Sequence, residues 1–225
     1  MNNVPEEDES EYEEERKSLV IESEEFNRCQ TYVGFSFVCL QFISITWAAN
    51  CMISTNSYKA NDGDDGFFNI GIGLEGYDQT SYGLIMGPFT SIPTIILTFF
   101  SGYVVENFNR KKQLAVMCFL TGVLCFLNGI ADHVQMLYIT TMLSSGISAF
   151  QIIGSYSIAG DMFPERLTVR AFFILGIASS LSSSTTFINT SIIDSLGWRN
   201  TFKFVGVINM VVGVLCWFFV IEPKR

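Results

Sequence analysis

Residues Thr201–Ile221 read TFKFVGVINMVVGVLCWFFVI, 21 positions with one charged side chain, Lys203. A helix needs about 20 mainly apolar residues to cross the hydrocarbon core of a bilayer. The run lacks the period-two alternation of a barrel strand, and in lipid its backbone groups must then pair within the segment. It therefore predicts a transmembrane helix. Working back towards the N-terminus, five more windows meet the same test: Ala171–Ile193, Met136–Ala159, Gln113–Ile130, Tyr82–Val105 and Thr31–Met52. The expected fold class is an all-α membrane protein with six transmembrane helices, in one domain over residues 31–225.

Composition agrees. The chain has 225 residues, 49% of them hydrophobic and 16% charged. Soluble domains carry about 25% charged residues, so much of this surface is expected to face lipid. Half of the 22 acidic residues lie in the first 25 positions. The start, MNNVPEEDESEYEEERK, is polar where a signal peptide turns apolar. It buries too little apolar area to fold alone, so residues 1–30 read as a disordered acidic cytoplasmic tail. From Thr31 onward 11 acidic and 10 basic residues nearly balance, leaving no basic face for nucleic acid. The six cysteines form no CxxC pair, and His133 is the single histidine. A zinc site or disulfide framework is not indicated, and no cofactor is expected. Asp62, Asp64 and Asp65 in the long loop 53–81 miss the spacing of a calcium-binding EF-hand.

Orientation follows from lysines and arginines in the loops. Arg16, Lys17, Arg28, Arg110, Lys111, Lys112, Arg166, Arg170, Lys224 and Arg225 fall on one side, ten in all. Lys59 and Arg199 fall on the other, with Lys203 just inside the last span. Both termini are expected in the cytoplasm of a multi-pass membrane protein, with the lipid bilayer as its surroundings.

Polar side chains inside spans are costly and usually face a cavity or another helix. The fifth window is dense in them from Ser179 to Thr190, the fourth from Thr140 to Ser157, and the first carries Gln41, Ser44, Thr46 and Asn50. Helical spacing puts Ser148, Gln151 and Ser155 on one face, and Ser179, Ser183, Thr186 and Asn189 on another. The first, fourth and fifth helices are thus expected to line a polar cavity, with the third and sixth facing lipid. Helix packing competes with that reading, because small hydroxylated residues also let membrane helices approach. Gln41, Asn50, Gln151, Ser155, Ser183 and Asn189 are the candidates to contact a solute.

Four loop motifs carry a resemblance. Between the second and third windows stands Gly102-Tyr-Val-Val-Glu106-Asn-Phe-Asn109-Arg110-Lys111-Lys112. After the fourth stands Asp161-Met-Phe163-Pro164-Glu165-Arg166, with Arg170 beyond. Before the sixth stands Gly197-Trp198-Arg199, and after it Glu222-Pro223-Lys224-Arg225. In this order and on these sides they resemble the N-terminal half of a major facilitator superfamily transporter. Asn109 replaces the family's glycine, and Asn is the usual substitute where a left-handed backbone is wanted. The stretch Phe163–Ile177 and the end of the sixth window look most like spinster-type members, which are linked to lipids and lysolipids, with sugar-porter-like and organic-anion branches also open.

The resemblance implies half of a major facilitator fold, two inverted three-helix repeats. It implies no catalytic residues and transport of a small organic solute by alternating access. Gly102, Glu106, Arg110 and Lys111 would be gating residues, with Glu106 facing helix 11 of a second six-helix half. That second half, from the same gene product or an oligomeric partner, is the expected protein partner. The family pattern is departed from at Asn50, where many members carry an Asp in helix 1, and at Met142, four residues before Gly146, where many carry an Arg. Almost no ionisable group lies within the spans, which favours a uniporter over proton coupling. The alternative is a transporter-like scaffold or accessory subunit without transport activity.

Overall fold

The computed structural model describes the backbone of residues 7–57, 74 and 76–220. The loop carrying Asp62, Asp64 and Asp65 and the final Glu222–Arg225 motif lie outside the described residues. Among the described residues eight helices follow in order: α1 (Glu7–Ser57), α2 (Gln79–Met86), α3 (Pro88–Asn107), α4 (Arg110–Asn128), α5 (Val134–Met162), α6 (Glu165–Ser183), α7 (Thr185–Leu196) and α8 (Trp198–Phe219). Six stretches of the described residues are long and apolar enough to cross a membrane: Cys29–Thr55, Thr80–Asn107, Arg110–Asn128, Val134–Met162, Glu165–Leu196 and Trp198–Phe219. Each contains or overlaps one sequence window. α1 continues N-terminally through the acidic segment that the sequence reading leaves unfolded, a stretch rich in good helix formers such as Glu, Leu and Arg.

Two spans are interrupted. Between α2 and α3, Pro88 lacks the amide hydrogen to continue the ladder and suits a first helical position instead. Thr90 Oγ1 lies 3.2 Å from the Met86 carbonyl and 3.0 Å from the Gly87 carbonyl, which also accepts from the Ser91 amide at 3.0 Å. Between α6 and α7 the run Ser182-Ser183-Ser184 breaks the helix, and Asn50 Nδ2 of α1 donates to the Ser182 carbonyl at 2.9 Å. Ser-rich stretches are prone to such breaks because their hydroxyls compete for backbone partners. The α7–α8 turn needs Gly197, whose φ of 78° would strain a residue with a Cβ.

Termini are capped by side chains outside the apolar stretches. The Asp78 carboxylate accepts from the Ser81 amide at 2.7 Å at the start of α2, and that bond holds its pKa below the usual carboxylate range. Asn109 accepts from the Lys112 amide at 2.9 Å at the start of α4. Its φ is −64°, so it serves as an extended N-cap and not as the left-handed position the sequence suggests.

The core lies along α1, α4, α5 and α8. Phe35, Val38, Phe42, Leu114, Cys118, Ile158, Leu175 and Cys216 form one buried cluster. Leu137, Trp198, Phe202, Val205 and Cys51 form another towards the opposite end. α4 and α8, expected to face lipid, do so on one side only. Their other sides meet backbone to backbone at glycines: a Cβ on Gly206 would lie 2.7 Å from Phe126 N and 2.8 Å from Gly122 O. The second span is the least covered. Ile92, Ile95, Ile96, Phe99, Phe100 and Tyr103 on α3 are all exposed.

Candidate functional site

A cavity of about 300 Å³ enters the bundle between α1, α2–α3, α4 and α5, with Phe202 of α8 at its end. That is the lower end of the usual range for small-molecule sites. Ala48, Ala49, Met52, Met86 and Cys125 supply apolar wall. Thr90 and Thr94 of α3, Thr121 and Asn128 of α4, and Thr141, Ser144, Ser145 and Ser148 of α5 supply polar groups. No residue lining it carries a full charge at neutral pH.

The hydroxyl protons are largely committed to backbone. Thr94 Oγ1 lies 2.7 Å from the Thr90 carbonyl and 3.1 Å from the Ser145 carbonyl. Ser144 donates to Thr141 O at 3.0 Å and Ser148 to Ser145 O at 2.7 Å. A hydroxyl has one donor and two lone pairs. Once the proton of Thr94, Ser144 or Ser148 is used on the helix, that group offers the cavity acceptor oxygen. Thr141 Oγ1, in contrast, has no hydrogen-bond partner among the described residues, and the Asn128 side chain brings an amide N–H2 to the wall. The wall therefore suits an uncharged molecule that brings its own O–H or N–H donors to these oxygens and an acceptor for Thr141 or Asn128.

Three of the sequence candidates form a buried cluster behind this wall. Gln41, Gln151 and Ser155 are fully buried. Ser155 Oγ lies 3.0 Å from Gln41 Oε1 and 2.8 Å from the Gln151 carbonyl. Thr121 Oγ1, itself in the wall, lies 3.1 Å from Gln151 Oε1. Both glutamine Nε2 groups are buried without a hydrogen-bond acceptor, each costing about 1–3 kcal/mol. Amide donors held dry at that cost, one shell from a cavity, are what a solute or ordered water would satisfy.

The other three do different work. Asn189 accepts from Trp47 Nε1 at 2.7 Å and donates to Ser54 Oγ at 3.4 Å, pinning α7 to α1. Asn50 braces the α6–α7 break. Ser183 is exposed on the bundle surface, because the break at Ser184 takes it out of register with Asn189. None of the six is among the residues lining the cavity. The fifth span, expected to line the cavity with the first and fourth, contributes none of its lining residues, and the second span takes its place. Thr90 and Thr94 carry a signal, the i, i+4 spacing that places two hydroxyls on one helical face.

The motif residues gather at the other end. Arg110, largely buried, pairs with Asp161 of α5 and donates from Nε to the Val105 carbonyl at 3.2 Å. Two motifs read separately in the sequence thus meet in one ion pair. Lys111, the second residue of α4, is half-buried, and Glu106 is exposed. Gly102 is exposed, and a Cβ built there meets nothing within 4 Å. At the opposite membrane face Arg199 pairs with Asp132 at 3.1 Å and lies 4.8 Å over the Trp198 ring. Among the described residues no cluster of three metal-ligating side chains occurs.

The sequence profile of the Major Facilitator Superfamily matches residues 32–225. The chain belongs to this superfamily. The Escherichia coli (strain K12) inner membrane protein YqcE is 28% identical over 160 residues, covering 67% of this chain and 37% of that protein. Two crystal structures of a bacterial homologue of the human lysosomal transporter Spinster share the fold. In its inward-facing unoccupied conformation the TM-score is 0.64 at 15% identity, covering 89% of this chain and 44% of that one. In its inward-facing occupied conformation the TM-score is 0.58 at 16% identity, covering 90% and 45%. The chain therefore spans less than half the length of these superfamily relatives. It is a multi-pass membrane protein with the fold of one six-helix half.

Proposed function

We propose that this chain is one half of a transporter that moves a small, uncharged, hydrogen-bond-donating organic solute by alternating access. The observation that carries the reading is the uncharged cavity most of whose hydroxyls are turned to acceptors. Gln41, Gln151 and Ser155 would serve it from behind through Thr121, while Asn50, Asn189 and Ser183 would act on helix packing or at the surface. The membrane transporters sharing the fold support the general class. The exposed apolar face of α3 and the open space at Gly102 support a second half closing there. Glu106, Arg110 and Lys111 would then mark one closed state, with both termini cytoplasmic by the positive-inside rule. With no carboxylate, histidine or basic side chain in the cavity wall, solute flux would run as uniport.

The test is counterflow in proteoliposomes containing the whole gene product and its second half. Labelled polyols and neutral sugars would be compared with organic anions and cations. Exchange of a neutral hydroxylated solute, abolished by Ser145→Trp and indifferent to a pH gradient, is expected. Exchange of charged solutes alone, or uptake driven by a proton gradient, would overturn the reading.

A further inference from the structure

A second, wholly apolar groove of about 330 Å³ runs between α4 and α8 on the side away from the core. Ala115, Val116 and Phe119 form one wall, Val214 and Trp217 the other, and Gly213 the floor. It exists because α4 and α8 cross at backbone distance there: a Cβ on Gly213 would sit 2.8 Å from Phe119 N. Val116, Phe119, Val214 and Trp217 stay more than a third exposed within apolar spans, so the groove opens to lipid.

Lys112 precedes the first groove residue of α4, Ala115, by about one helical turn. Positions 112, 115, 116 and 119 follow i, i+3, i+4, i+7 and share one face of α4. Lys112 lies about 10 Å along the axis from Phe119 at 1.5 Å per residue, within one leaflet of a core about 30 Å thick. Its side chain is exposed and makes no ion pair among the described residues, whereas neighbouring Arg110 is engaged by Asp161. A lone ammonium above an apolar slot in a membrane surface complements an anionic headgroup above an acyl chain.

We propose that the α4–α8 groove is a site for an anionic phospholipid, with one acyl chain along Val116, Phe119, Val214 and Trp217 and its phosphate at Lys112. The site is separate from the solute cavity, and it stands whether or not this chain transports.

Trp217 reports occupancy directly. The purified chain would be reconstituted in phosphatidylcholine vesicles containing brominated phosphatidylglycerol or, in parallel, brominated phosphatidylcholine. The Trp217 signal is the difference between the parent protein and Trp217→Phe. Quenching of that signal should reach half-maximum at a several-fold lower mole fraction of brominated phosphatidylglycerol than of brominated phosphatidylcholine. Lys112→Gln should remove that preference, about fivefold for one basic side chain near a membrane surface. Val116→Phe, which fills the groove from its lipid side without touching the α4–α8 contact, should lower quenching by both lipids. Equal quenching by the two lipids in the parent protein, or a preference that survives Lys112→Gln, would overturn the proposal.

Discussion

Replacing Gly206 with Ala places one methyl group where α4 and α8 touch. The new Cβ would sit 2.7 Å from Phe126 N, 2.8 Å from Gly122 O and 2.9 Å from Phe126 Cβ. Two of the three obstacles are backbone, so no rotamer change relieves them. Ordinary contact begins near 3.4 Å, so the helices must part by roughly 0.7 Å. That loosens Cys118, Phe126, Phe202 and Val205 along the same contact. Overpacking of this kind costs about 1–3 kcal/mol, and the rigid obstacle argues for the upper end. Better helix propensity of Ala returns about 1 kcal/mol. The net is a loss of about 2 kcal/mol, roughly 30-fold in the unfolding equilibrium. Gly176→Ala is the control, because a Cβ there meets nothing within 4 Å; it should be neutral or stabilising by up to about 1 kcal/mol. The assay is reversible unfolding in mixed detergent micelles, followed by tryptophan fluorescence. If Gly206→Ala is as stable as Gly176→Ala, the close crossing of α4 and α8 is wrong.

Gln151→Leu removes a buried amide donor without an acceptor, so stability should hold or rise by about 1 kcal/mol while solute exchange falls at least tenfold. Unfolding and counterflow on the same preparation check both halves. Arg110→Gln should lower exchange with a stability cost near ~1 kcal/mol, because Asp161 keeps much of its solvent. Asp161→Asn should match it, and the double variant should add little, as a double-mutant cycle would read. Asp78 has a folded pKa below its unfolded one, so its cap stabilises α2 above the usual carboxylate pKa and is lost as pH falls through the lowered value. Asp78→Asn should flatten the acid limb of a Tm-against-pH curve measured between pH 2 and 6.

Much of the fold was legible in the chain because lipid imposes a single-residue rule: long apolar runs must be helices. All six spans follow from that, and the loop motifs give the superfamily. The site was less legible for a specific reason. A polar residue in a span signals that it needs hydrogen-bond partners, not where they stand. Ser182 and Asn50 meet theirs at a helix break, Asn189 with Trp47, and Gln41 with Ser155. The cavity instead uses Thr90 and Thr94, modest residues in a span whose polar content looks ordinary. Their exposure to the cavity depends on the Pro88 break and on how α3 leans against Ser145 of α5, neither of which periodicity encodes. Arg110 and Asp161 lie 51 positions apart, and only the fold joins their motifs.

The most direct test of the transport reading is two-sided accessibility of the cavity. Ser145→Cys would be made in a background with the six native cysteines replaced, in the whole gene product reconstituted with its second half. A membrane-impermeant maleimide would then be added from either side separately. Alternating access requires labelling from both sides, with protection by the transported solute. Labelling from one side alone, unaffected by any solute that the vesicles exchange, would show that the cavity is not on the transport path.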